Sequence, residues 1–261
     1  MVEESQLRDE LKMVNEIDEQ VGALLPERYE AEGAHWWSAG MRAISHALLE
    51  GVVLPGGPIL EFGCGGGAFL EEMGTQHPGH LTIGTDLNPA ALAHARRGGR
   101  QAVALSDLHR LPFPDERCGT IVGLDSFDQW GVDLEAAVAE AARVLLPGGL
   151  LLVRVSAYDW LRGPHDVAFG TGRRYSASEM GAALTGARLR PLRVTYANSL
   201  LFLPAAAVRL AQQGGHGSVE AQLETPSVLS GLFNRLLRGE AWWLRRQSLP
   251  FGLSLYALAQ K

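Results

Sequence analysis

The chemically richest stretch of this chain is Glu61-Phe62-Gly63-Cys64-Gly65-Gly66-Gly67, a carboxylate two residues ahead of glycines at every second position. It continues the apolar run Ile59-Leu60, which has the form of a buried strand entering a loop pressed against a ligand. Glycine alone lets main chain approach a nucleoside that closely and take positive φ at a strand-to-helix turn. Asp86 follows at the spacing expected of an acid that holds a ribose.

Two ligand classes fit these glycines, because Gly63, Gly65 and Ala68 also satisfy the dinucleotide fingerprint G-x-G-x-x-G/A. Glu61 separates them. A pyrophosphate over the loop gains nothing from a further negative charge, whereas a cationic nucleoside without phosphate does. S-adenosylmethionine, with its sulfonium and ammonium groups, suits the carboxylate better than NAD; a tight turn with no ligand is the bland reading.

Further residues could act on an acceptor. His165-Asp166 stands among Gly163-Pro164, Gly170 and Gly172, where a histidine beside a carboxylate could titrate near neutrality. His35 precedes Trp36-Trp37, and Asp125 and Asp128 follow the apolar run Ile121 to Leu124. A base within reach of a phenol, hydroxyl or protonated amine is worth about two to four powers of ten. The plainer readings are a surface-loop histidine for His165, a capping or packed histidine for His35, and backbone-orienting acids for the aspartates. Trp36 and Trp37 read as core or lid packing, or as an aromatic face for a cation. Trp242-Trp243 with Arg245-Arg246 reads as a helix packed on the sheet or as a membrane-surface patch, and Arg173, Arg174 and Tyr175 as a solvated flap or a grip on an acidic group. Cys64 in the glycine loop reads as packing; with Cys118 as the only other cysteine, reduced thiols and no metal site are expected.

The elements that must position these residues alternate at βαβ spacing from Ile59 onward, which predicts an α/β fold with a doubly wound sheet. Strands are expected at 59–62, 81–86, 102–105, 121–124 and 150–155, with helices after Asn88-Pro89 and from about Leu134 to Leu145. Beyond them come a glycine-rich segment over 157–180 that suits a mobile flap, a strand over 190–197, an amphipathic helix over 200–210, a flexible break at 214–217 and an edge or inserted strand over 253–259. Leu7, Leu11, Val14, Ile17 and Val21 recur at helical steps ahead of Pro26, and a second helix runs through Met41, Ile44 and Leu48. A helical leader over 1–57, a ligand-binding core over 58–156 and a lid with closing strands over 157–261 are the expected divisions.

The length of 261 residues and a hydrophobic share of 46% are ample for a large core. A net charge of −6 argues against broad attraction to nucleic acid. With neither a charged-then-apolar leader nor an apolar run of about eighteen residues, a cytoplasmic location without a membrane span is expected.

Taken together, Glu61-x-Gly63-x-Gly65-x-Gly67, Asp86, Ser106-Asp107-Leu108 with Leu111-Pro112-Phe113-Pro114, and Arg143-Val144-Leu145-Leu146-Pro147-Gly148-Gly149 resemble the class I S-adenosylmethionine-dependent methyltransferases, in particular the small-molecule branch. The last two segments are what dehydrogenases lack, and the resemblance covers about residues 58 to 156. It implies a Rossmann-like, mostly parallel seven-stranded sheet. It also implies that Gly63, Gly65 and Gly67 face the methionine part of the cofactor, with Glu61 near its ammonium group. Asp86 would accept from both ribose hydroxyls, with Leu87 beside it; Asp107 would accept from the adenine amine while Leu108 packs on the ring. Leu124 and Asp125 would lie nearest the transferred methyl, with Asp125, His35 and His165 as candidate bases. The expected partner is a small-molecule acceptor, lipid-like bodies and natural products included, and not a nucleic acid. The rivals are a nicotinamide-dependent oxidoreductase, disfavoured because Lys12 and Lys261 are the only lysines, and a cofactor-binding regulatory module without turnover.

Overall fold

A computed structural model describes residues 35–97, 102–212 and 227–261. The expected leader helix before Pro26 and the break at 214–217 lie outside these residues. The described elements begin with α1 (Trp36–Leu49), β1 (Ile59–Phe62), α2 (Ala68–Gln76), β2 (Thr82–Asp86), α3 (Pro89–Arg97) and β3 (Ala102–Leu105). They continue with β4 (Cys118–Leu124), α4 (Leu134–Val144), β5 (Leu145–Ser156), a 3-10 turn (Asp159–Leu161) and α5 (Pro164–Ala168). The last are α6 (Ala177–Gly186), β6 (Arg190–Ala197), α7 (Phe202–Gln212), α8 (Ser227–Leu244) and β7 (Ser254–Gln260).

The seven strands form one sheet in the order β3-β2-β1-β4-β5-β7-β6. β1 to β5 pair in parallel, and β7 inserts antiparallel between β5 and β6. The closing segment is therefore an inserted strand and not an edge. Every residue of β1 is buried, as expected of a strand covered on both faces.

Alternation along the strands sorts the core into two layers. Leu60, Phe62, Ile121, Leu151 and Val153 face one cluster, built with Ala137, Val138 and Ala141 of α4 and Met180 and Leu184 of α6. Ile59, Val122, Leu152 and Tyr256 face the other, built with Met41, Ile44 and Leu48 of α1, Phe69 and Met73 of α2, and Leu237, Ala241 and Leu244 of α8. The α1–α8 crossing is close: a β-carbon at Gly40 would stand 2.5 Å from Leu237 Cδ1.

Where the glycines over 157–180 predict a mobile flap, the structure has a folded segment. Asp166 and Arg174, each about 2% exposed, pair at 2.6 Å, and Arg174 Nη1 donates to the Ala157 carbonyl at 3.0 Å. A charge pair taken out of water has to be matched in geometry and hydrogen bonding, and this one is. β5 also starts earlier than the apolar run suggests, at Leu145, and passes through Pro147-Gly148-Gly149 with an irregularity at which Gly148 takes a φ of 79°. Among the described residues no helix is long and apolar enough to cross a membrane.

Candidate functional site

The sheet reverses its winding between β1 and β4, because β1 leads out to β2 and β3 on one side while β4 leads to β5 on the other. A crevice opens beyond the carboxyl ends of strands at such a point. The β1–α2 loop lies there, with Gly63, Gly65 and Gly67 at φ of 62°, 51° and 81°. A β-carbon at Gly63 would stand 2.7 Å from Ser126 Cβ, so neither the conformation nor the space admits another residue. Gly67 precedes α2 and offers it no side-chain cap, which leaves the positive end of that helix presented to the loop by backbone amides alone. Glu61 is buried at 4% exposure in β1, level with Gly84 of β2 and Val122 of β4.

Asp86 ends β2 and ties the neighbouring loops together. Its Oδ2 accepts from the Gly65 N–H at 2.9 Å and its Oδ1 from the Asn88 N–H at 2.8 Å. A carboxylate oxygen can accept twice, so one direction on each oxygen suits the paired hydroxyls of a ribose. Leu87, next in sequence, is 60% exposed.

Asp107 follows β3, and His109 fixes its direction. Oδ1 accepts from the His109 backbone N–H at 2.8 Å and meets His109 Nδ1 at 2.7 Å. The Asp133 N–H donates to His109 Nε2 at 2.9 Å, so the ring proton sits on Nδ1 and points at Asp107. These bonds, the backbone one foremost, hold the Asp107 carboxyl below the ordinary carboxylate range. Both fall on Oδ1, which leaves Oδ2 with acceptor capacity for an exocyclic amine. Leu108 is 7% exposed and sits in the α4-side cluster with Leu111 and Phe62, so its contact with a bound ring is limited to an edge. The acceptor set, hydroxyl-accepting at β2 and amine-accepting at β3 above uncapped amides, fits an adenosine bearing an amino-acid arm.

Residues 60–153 match the family model described as a methyltransferase domain. They form a class I S-adenosylmethionine-dependent methyltransferase domain. The methyltransferase domain is 38% identical over 101 residues to a malonyl-[acyl-carrier protein] O-methyltransferase of Serratia marcescens, a stretch that is 38% of this chain and 38% of that protein. It is 33% identical over 107 residues to the probable tRNA methyltransferase 9B of Homo sapiens, 40% of this chain and 22% of that protein. The matched stretch thus spans well under half the length of either relative. A solved S-adenosylmethionine-dependent methyltransferase of Thermotoga maritima shares the fold at a TM-score of 0.59 and 16% identity, over 94% of this chain and 98% of that one.

Around the methyltransferase domain the candidate bases take unequal positions. Asp125 ends the β4 turn at φ of 56°, and Arg154 grips it bidentately, Nε to Oδ1 at 2.8 Å and Nη2 to Oδ2 at 2.6 Å. Both oxygens of that carboxylate are thereby engaged by one guanidinium. Asp128 is 1% exposed, accepts the Ser156 N–H at 2.7 Å, and has its carboxyl pushed up by burial and then by the Asp125 charge. Its carbonyl takes the Gly172 and Arg173 N–H groups, which fastens the 170–173 segment beside the crevice.

His165 stacks on Phe169 at 4.3 Å, and its expected partner Asp166 gives its carboxylate to Arg174 and to the Gly163 N–H instead. The Arg173 and Arg174 side chains are likewise engaged, with Glu179 and Asp166. His35 stands at the start of α1 with its ring 5.6 Å from Trp36, and burial lowers its pKa from 6.5. The Met41 carbonyl of α1 accepts from Tyr256, which pairs with Arg154 near the carboxyl end of β5, so the early part of α1 lies by that end of the strands. Leu124, the last residue of β4, is half-buried against the α1 side. Cys64 is buried, and burial pushes the Cys118 thiol up to about 11, which suits packing for both.

The residue that pattern reading missed is Arg154. It is the single charge in the apolar run Leu150 to Val155, and that interruption was its only signal. It links Asp125 to Tyr256, whose hydroxyl lies 3.3 Å from Nη1, 3.0 Å from Ser45 Oγ and 3.2 Å from the Met41 carbonyl. The end of β4 is thereby coupled to α1.

Proposed function

We propose that this chain binds S-adenosylmethionine over the β1–α2 loop and transfers its methyl group to a small organic acceptor. Support comes from the domain family and from the acceptor chemistry of the loop; the observation that carries the reading is Asp86, anchored through Gly65 and Asn88 with one acceptor direction remaining on each oxygen. When bound, the cofactor supplies a methyl carbon on a cationic sulfur. Gly63, Gly65, Gly67 and Glu61 hold the amino-acid arm, Asp86 and Leu87 the ribose, and Asp107 with Leu108 the adenine. Leu124 and Asp125 flank the crevice where an acceptor enters. A direct displacement mainly needs alignment and exclusion of water, which such a cradle provides.

Of the three candidate bases, His35 is the one this reading favours. Burial lowers its pKa and so favours the neutral imidazole, whereas Asp125 is engaged by Arg154 and Asp166, next to His165, pairs with Arg174. Residues 1–57 and 157–261 are assigned to the acceptor side of a core spanning 58–156, with acceptor binding near the Asp128-tethered 170–173 segment.

A nicotinamide reaction is disfavoured by the buried Glu61 beneath the loop and by the absence of lysine from the core. Incubation with methyl-labelled S-adenosylmethionine and an acceptor panel tests the reading. The panel comprises phenols, amines, carboxylic acids, a malonyl thioester and bulk tRNA. Label in an organic acceptor is expected. Label in tRNA alone, the acceptor class named for the human relative, would overturn the acceptor assignment.

A further inference from the structure

The outward face of α8 is unlike the rest of the surface. At 100° per residue, Leu232, Arg235, Arg238, Gly239, Trp242 and Trp243 cover an arc of about 140° and all are exposed, and the exposed Arg245 and Arg246 follow in the turn after the helix. The opposite side of the helix, Leu237, Ala241 and Leu244, is buried against α1 and the sheet. Trp242 and Trp243 are 65% and 50% exposed, and Leu232 is 50% exposed, so three large apolar side chains share the arc and the turn after it with four guanidinium groups.

The arc carries no acid. Glu240, the one acidic residue within α8, is turned inward and accepts the Asn198, Ser199 and Leu200 N–H groups. Among the described residues only Arg245 of the four arginines meets a carboxylate, that of Glu50 at 2.8 Å; Arg238 bonds instead to Asn234 within the same helix. Between α1 and α8 lies a groove of about 210 Å³ lined by Arg238, Trp242 and Arg245 on one side and by His46 and Glu50 on the other, with Glu50 holding Arg245. This cationic, aromatic strip belongs to a chain whose net charge is −6.

We propose that the outer face of α8 docks on an anionic phospholipid surface. Charge complementarity names the partner: Arg235, Arg238 and Arg246, which meet no carboxylate among the described residues, offer the bidentate donors suited to phosphate, while Trp242, Trp243 and Leu232 supply the amphipathic bulk that settles at headgroup depth. A polynucleotide would use the same arginines, but Leu232 and the adjacent tryptophans give a water-excluding edge that a lipid interface fills. Docking of this kind is reversible, since one face of one helix without a lipid anchor gives modest affinity.

The test is co-sedimentation of the full chain with phosphatidylcholine vesicles and with mixed phosphatidylcholine–phosphatidylglycerol vesicles, with tryptophan emission recorded in parallel. Binding to the mixed vesicles alone, weakened by added salt and accompanied by a blue shift, is expected. Arg238→Glu and Arg246→Glu together are expected to lower the partition by at least about tenfold, each charge near an anionic surface being worth about fivefold. Trp242→Ser with Trp243→Ser is expected to abolish the blue shift. Both double variants lie on an exposed face and are checked by circular dichroism. Equal binding to neutral vesicles or no vesicle binding would overturn the proposal. So would a tighter electrophoretic shift with RNA than with lipid, or a dimer in light scattering that the tryptophan variant converts to monomer.

Discussion

Asp86 concentrates the account at the level of single residues. Its two oxygens already hold the Gly65 and Asn88 amides, and the remaining acceptor directions are those a ribose needs. Asp86→Asn turns one acceptor into a donor, and calorimetric titration with S-adenosylhomocysteine is expected to show affinity lowered about ten- to hundredfold, the range for hydrogen bonds to a charged group. An unchanged affinity would mean that Asp86 only caps the turn. His35 makes the second residue-level prediction. Burial depresses its pKa, so the native state prefers neutral imidazole; stability from that preference is present above the ordinary value of 6.5 and lost as pH falls through the native one. A base of this kind gives kcat/KM an acid limb below pH 6.5. His35→Asn is expected to lower kcat about a hundredfold or more and to remove that limb while leaving cofactor affinity unchanged. A variant that keeps full kcat and the limb moves the role elsewhere.

Among the elements, the 157–180 segment is where sequence pattern and structure part company. Glycine and proline there predict a flap, and what defeats the prediction is one pair eight residues apart, Asp166 with Arg174, both about 2% exposed. Removing one partner strands the other charge, so Asp166→Asn or Arg174→Met is expected to cost about 3–5 kcal/mol in urea unfolding. Asp166→Leu with Arg174→Met together is expected to cost less than the sum of the singles. Additive losses would show that the two do not act as a pair. The strands of the first half were legible because apolar runs ended in glycine or an acid, and β6 was legible by alternation. β7 was ambiguous, since a weakly alternating run does not say whether it ends a sheet or enters it. Side-chain engagement was not legible at all: Asp125 reads as a free acid until Arg154, twenty-nine residues away, is seen to hold it.

At the scale of the whole molecule, the winding reversal between β1 and β4 gathers the acids of β1, β2 and β3 at one edge, while the contact of the Met41 carbonyl with Tyr256 holds the early part of α1 by the carboxyl end of β5. The Asp125–Arg154–Tyr256–Ser45 chain joins the end of β4 to α1 through buried side chains. Ligand binding to such a site stabilises the entire fold, by about 2.7 kcal/mol at a hundred times the dissociation constant. The most direct test of the central claim is a pair of calorimetric titrations of the intact chain, one with S-adenosylhomocysteine and one with NAD. A saturable single-site signal with S-adenosylhomocysteine and none with NAD is predicted. Silence with S-adenosylhomocysteine, or saturation by NAD, would contradict it.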